Sequence, residues 1–402
     1  MLNNIFRMNP VFDITPIEEL EDKYRRKFAH IVRNDNIRGL LHAPSEARVT
    51  VKALNQDMID FLGSFREPGR ISDFCAEYSA ENREEVKKLV IRLVLDSVLE
   101  IQVGNEFISG VDAVNTLLHA GQKSLETEIG EGRNQIQALS TESLEYVLKL
   151  ESLEPMEISS FLYNFNRLPF CLESRKRLHD EKAVMEFLGL TDDNTWDGMG
   201  SSIKPKPQER DSSGEIRMYD QVWRYWYLSG EKTSTEDLNY KIYVSPTLDD
   251  LPEVFAVVRE EVIGSGAYSM KIGRRASELF RSDKLIIYFN RFEPSMEFAL
   301  KLAEELGQFS SQGVPFSHQV SEETSIVSMG VDPPSKFGEK NSWRRYITDN
   351  LALAIQSARR SESGDIHKYI HTHMRMVGID STRWRPVRDD WKIEFELEGK
   401  AD

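Results

Sequence analysis

Three short stretches of this sequence place lysine where a β-strand would present it. Across Tyr240–Ser245 a period of two sets Lys241, Tyr243 and Ser245 against Tyr240, Ile242 and Val244. Around Lys271, residues Ser269 and Lys271 oppose Tyr268, Met270 and Ile272. Across Lys284–Asn290, residues Lys284, Ile286, Tyr288 and Asn290 oppose Leu285, Ile287 and Phe289. If the three stretches share a sheet, three lysines and two tyrosines meet on its polar side. Strand lysines are most often simply solvated, so the pattern alone gives them no role.

A second cluster lies at the start of the helical stripe Ile347, Leu351, Ala354, Ile355 and Ala358. Ser342 is placed to cap that helix. Arg344 and Arg345 then stand in the first turn, against the positive end of the helix dipole, a placement that a bound anion would reverse. The competing reading is an exposed pair of surface arginines. His367, His371 and His373 give an i, i+4 histidine pair, but the glutamate of H-E-x-x-H is missing and Ile366, Ile370 and Met374 supply a core stripe beside them. No metal site is therefore expected there. Lone His30 and His42 are read as structural.

The elements that must hold these residues fall in two parts. Residues 48–110 predict three helices, at 56–65, 72–78 and 82–99, followed by LEIQV, a turn at Gly104 and Asn105, and EFISG, which together describe a winged helix. The 82–99 helix mixes Glu84, Glu85 and Asp96 with Arg83, Lys87, Lys88 and Arg92, so it is a poor DNA reader, and capture of an extended peptide on the wing competes with a scaffold role. Residues 111–190 read as further helices, giving a mostly helical region over 1–190. Residues 191–216 are rich in Gly, Ser, Pro and charge and predict a linker or mobile loop. From 217 to 402 strand and helix periods alternate, so the fold class is α+β.

Composition narrows the partners. A net charge of −15 over 402 residues opposes nucleic acid. No window approaches the ~20 apolar residues that would cross a bilayer, and the first residues lack the pattern of a signal peptide, so a cytoplasmic protein without membrane contact is expected. Cys75 and Cys171 offer neither a disulfide framework nor zinc spacing, and both are expected to be buried thiols.

The stretch from about Tyr219 to Ala358, with WRYWYLSGEK, YKIYVSPTLDDLPEVF, SGAYSMKIG, SDKLIIYFN, ALKLAEELGQFSSQGVPFSHQV, SMGVDPP and the SWRRY helix, resembles the HopA-type effector family in the order of its elements. That family also supplies the lyase component of class V lanthipeptide and thioviridamide-like biosynthesis, and is distantly similar to the phosphothreonine lyases. The resemblance implies a phosphoserine/phosphothreonine lyase, working beside a separate kinase-like protein on a precursor peptide, without metal or organic cofactor. It implies Lys241 as the phosphate-binding lysine and Lys271 as the base. A departing phosphate dianion also needs several fixed positive charges, for which Lys241, Lys284 and Arg344 are the candidates. Tyr243 falls where those lyases carry an acid histidine. The proton donor is then Tyr243 itself, His318, or no residue at all. A base must be neutral near pH 7, which a free lysine with a pKa of about 10.4 is not, unless burial and neighbouring cations lower it. The runner-up reading is a non-catalytic, effector-like module that binds peptide or protein.

Overall fold

The computed structural model describes residues 4–20, 22, 34, 36–42, 51–74, 79–119, 134–150, 152–169, 171–190, 204–205, 222–228, 240–334, 342–361 and 364–387. They form a mixed α+β protein of two compact units, residues 1–128 with 353–377 and residues 129–352 with 378–402. Most of the expected 191–216 linker, together with His30 and Cys75, lies outside the described residues.

The first unit holds β1 (Ile5–Met8), β2 (Asp13–Pro16), β3 (Gly39–His42), β4 (Val51–Leu54), β5 (Gly69–Arg70), β6 (Leu99–Val103) and β7 (Glu106–Ile108). They make two antiparallel sheets, ordered β5-β1-β6-β7 and β2-β3-β4. Helices Gln56–Gly63, Ile71–Phe74 and Ala80–Leu95 and the β6–β7 hairpin occupy the region read as a winged helix. Asn55 caps the first of these by accepting from Met58 N–H, and Ser79 caps the third by accepting from Asn82 N–H. The hairpin does not stand alone, because β1 pairs with β6 through Phe6 opposite Ile101 and Met8 opposite Leu99. The N-terminal region therefore contains more strand than its periodicity suggests. Four-residue strands such as IFRM and DITP are too short to declare a period. Phe6, Phe61, Phe65, Val94 and Leu99 build the core of this unit. The helix Ile366–Met376 belongs to it as well. There His373 is buried, neither ring nitrogen has a hydrogen-bond partner among the described residues, and burial lowers its pKa to about 4.

The second unit holds β8 (Lys204–Pro205), β9 (Trp223–Tyr227), β10 (Tyr240–Val244), β11 (Ser269–Gly273), β12 (Leu285–Phe289), β13 (His318–Gln319) and β14 (Val327–Val331), with a small pair of β15 (Ile379–Asp380) and β16 (Arg385–Pro386). The main sheet is antiparallel throughout and ordered β13-β14-β10-β12-β11-β9-β8. One face, with Tyr240, Trp226 and Phe289, packs on the helices Leu251–Glu261 and Phe292–Leu306 through Trp226 on Phe255, Tyr240 on Phe292 and Phe289 on Phe298. The helices over 135–187 belong to this unit and not to the N-terminal one. Ile136 N–H donates to Gln319 at 3.2 Å, Ser159 Oγ to Asp349 at 2.5 Å and Leu168 N–H to the Phe280 carbonyl at 2.8 Å. An amphipathic period announces a helix without saying which sheet it covers. Cys171, expected to be buried, is exposed and caps the helix Leu172–Arg177 by accepting from Ser174 N–H.

Candidate active site

Residues directly opposite one another on paired strands project from the same face. Lys241 on β10 faces Tyr288 on β12, which faces Ser269 on β11, and two residues along Tyr243 faces Ile286, which faces Lys271. Lys271 in turn faces Tyr225 on β9. Register alone therefore gathers Lys241, Tyr243, Lys271 and Tyr288 on the face away from the two covering helices. That face is not solvated: Lys241 and Lys271 are 6% and 7% exposed. Tyr163, Trp343 and Arg344, from the helices Pro155–Asn164 and Trp343–Arg360, pack over it.

The Lys271 ammonium lies 4.2 Å from the centre of the Trp223 ring and 5.6 Å from that of Tyr288. Burial, and next the charge of Lys241, lower its pKa to about 7. An amine that releases its proton near pH 7 is thus built from a residue that in water would hold it to about 10.4. Lys241 lies 5.5 Å from the same Tyr288 ring and pairs with Asp332 at 2.6 Å. The same oxygen of Asp332 also accepts the Trp343 N–H at 2.7 Å. The anion at the start of this helix, where the sequence invites one, is therefore an aspartate eleven residues upstream of Trp343.

Arg344 does not serve as the free cation expected of it. It is 2% exposed, its Nη1 pairs with Asp283 at 2.9 Å, its Nη2 donates to the Tyr163 carbonyl at 2.7 Å and its Nε to the Pro315 carbonyl at 3.3 Å. Arg345 pairs instead with Asp349 on its own helix. Lys284 also departs from expectation. Fully buried, it donates to the Pro246 carbonyl at 2.7 Å and to the Gln312 side-chain oxygen, and burial lowers its pKa to about 7. Two neutral acceptors hold it as a packing strut.

His318 is excluded by register. It faces Met329, which faces Ile242, so it projects from the opposite face to Lys241 and Lys271. Its Nδ1 is bonded to the Arg383 carbonyl at 3.0 Å, and burial lowers its pKa. Tyr243 is on the lysine face and 2% exposed. Burial, with Asp332 adding, raises its phenol well above the usual range. Its ring and the Trp343 indole close on Gly330, where an added Cβ would lie 2.5 Å from the indole and 3.0 Å from the tyrosine ring.

Sequence reasoning missed Arg281. Its Nε and Nη2 grip both oxygens of Asp283 at 2.8 and 3.0 Å, and Nη2 also donates to the Tyr163 hydroxyl at 3.1 Å. Its Nη1 takes no hydrogen bond among the described residues, and the side chain is 21% exposed. It lies 5.2 Å from the Trp223 ring, which it shares with Lys271. Arg281 and Arg344 overcome the burial of Asp283 and hold that carboxyl well below its usual range. Even with Lys271 as the neutral amine, this cluster sets Lys241, Arg281 and Arg344 against Asp283 and Asp332, so positive charge exceeds negative. The only sequence signal for Arg281 is an Arg-Ser-Asp run before a strand, which reads as an ordinary loop.

No family model matches this sequence, and no curated protein does. Among solved structures, an effector protein from Pseudomonas syringae pv. tomato strain DC3000 is 13% identical, covers 62% of this chain and 98% of its own, and superposes with a TM-score of 0.38. An effector protein from Pseudomonas syringae pv. syringae strain 61 is 12% identical over 62% of this chain and 96% of its own, with a TM-score of 0.36. The type III effector and phosphothreonine lyase OspF from Shigella flexneri is 13% identical over 33% of this chain and 70% of its own, with a TM-score of 0.26. Each is a distant likeness.

Proposed function

We propose that the second unit is a phosphoserine/phosphothreonine lyase that removes phosphate by β-elimination and leaves dehydroalanine or dehydrobutyrine. The observation that carries this reading is Lys271, a buried amine brought to about 7 on a face that also presents Lys241 and the partly exposed Arg281. A neutral amine can take the α-proton, which burial of the site makes more effective, while the excess positive charge suits a phosphate monoester dianion. Lys241 and Arg281 are the groups we assign to the phosphate. Arg344 acts behind them by holding Asp283.

We assign the substrate to kinase-phosphorylated ribosomal precursor peptides, as the sequence resemblance implies, with a separate kinase-like protein as partner. The peptide's unphosphorylated leader would pair with the outer edge of β7, which ends its sheet among the described residues. Incubating the protein with a phosphoserine peptide and following the peptide's mass tests the reading. Loss of phosphoric acid with gain of a thiol-reactive dehydro residue is expected. Release of phosphate with regeneration of serine would make it a phosphatase instead, and an unaltered peptide would overturn the assignment.

A further inference from the structure

Elimination of a phosphate monoester raises a question of charge. If the Cβ–O bond breaks with no proton supplied, phosphate departs as a trianion, a stronger base than a lysine amine. Delivery of one proton to the departing oxygen avoids that species. Several neighbouring groups are poor donors. His318 is on the wrong face. Tyr243 is buried with its phenol made a weaker acid than usual. Arg281 and Arg344 hold guanidinium protons that proteins do not release. Lys271 must begin the step without its proton in order to act as base.

We infer that Lys241 is the general acid of the reaction, a role that rests on the lyase reading above. It is a primary ammonium on the same face as Lys271, both lie within 5.6 Å of the centre of the Tyr288 ring, and Asp332 holds it at 2.6 Å. In the step, the Lys271 amine forms an N–H bond to the α-proton, and the Cα–H electron pair becomes the Cα=Cβ bond. The Cβ–O pair leaves with the phosphate, whose bridging oxygen takes a proton from Lys241, giving hydrogenphosphate. Lys271 ends as ammonium and Lys241 as amine, so the total charge of the two lysines is unchanged. Solvent exchange then restores both. Asp332 is the positioning residue, since it fixes the Lys241 ammonium from the side of the helix Trp343–Arg360.

The test separates holding phosphate from giving it a proton. Arginine keeps the charge and the contact but surrenders no proton, so Lys241→Arg should retain KM for a phosphoserine peptide within a few-fold and lose about a hundredfold or more in kcat. The Lys241→Ala variant supplies the second measurement. Added methylammonium should raise its kcat in proportion to concentration, whereas tetramethylammonium, which has the charge and no proton, should not. A Lys241→Arg enzyme with wild-type kcat, or a Lys241→Ala enzyme restored equally by both cations, would overturn the acid role while leaving the lyase reading intact. A wild-type protein that eliminates nothing from the peptide would overturn the lyase reading itself.

Discussion

Lys241 and Lys271 approach one aromatic ring, that of Tyr288, at 5.5 and 5.6 Å, and Lys241 pairs with Asp332 at 2.6 Å. Two lysines of identical chemistry thereby sit in different electrostatic settings. One is clamped to Asp332 as an ammonium, while burial between Trp223 and Tyr288 and the charge of the first push the other toward the amine.

That division predicts the pH dependence of activity. Because the base must be neutral, kcat/KM should rise with pH and level off above about 7, following loss of the Lys271 proton. Replacing Asp332 with Asn removes a charge that favours the Lys271 ammonium, so the rising limb should shift to lower pH. A limb that stays in place in Asp332→Asn would show that the two groups are not coupled.

Stability should depend on pH through the same physics. In the unfolded chain Lys271 and Lys284 keep their protons up to about 10.4, whereas in the folded protein both release them near 7. Between those values the unfolded state binds more protons. Stability should therefore rise with pH from about 7 toward 10, by about 1.4 kcal/mol per unit for each lysine, and Lys284→Met should remove one such contribution. Denaturant midpoints across that window measure it.

Arg344 and Arg281 should separate cleanly on substitution. Arg344→Ala leaves Asp283 and the Tyr163 and Pro315 carbonyls short of a buried partner, so it should cost about 3–5 kcal/mol of stability. Arg281→Gln leaves Asp283 with Arg344 and should lose less stability, but weaken binding of a phosphorylated peptide by about ten- to hundredfold relative to the unphosphorylated one. Thermal melts and calorimetry distinguish the two. His318→Ala, on the other face, should leave kcat within about twofold.

These contrasts mark what the residues reveal before folding. The alternation of YKIYV, SMKIG and LIIYF carries the strands and which side chains share a face, because a period of two is a local property. Whether that face meets water is not local. Tyr163 and Trp343 bury it from distant helices, which turns two of the three lysines into a catalytic candidate and its clamped neighbour, while Pro246 and Gln312 hold Lys284 as a strut. Arg344 was the more visible arginine because it opens a helix, whereas Arg281 owes its place to Asp283 two residues on. Gly330 is silent in sequence. Gly330→Ala should cost about 1–3 kcal/mol, since its Cβ meets the Trp343 indole at 2.5 Å.

Recognition by the first unit is tested at its sheet edge. Ile101 is an internal position, paired on both sides with β1 and β7, so proline there would disrupt the sheet itself. Proline at Phe107 on β7 is the informative change. It should weaken leader-peptide binding at least tenfold and leave elimination from a short phosphopeptide unchanged.

The base assignment is tested most directly by single-turnover elimination from a phosphoserine peptide, comparing wild type with Lys271→Met at pH 8. The wild-type protein should release phosphate and form the dehydro residue, while the variant binds the phosphopeptide within a few-fold of wild-type affinity and eliminates at least about a hundredfold more slowly. Elimination by Lys271→Met at the wild-type rate would contradict the account.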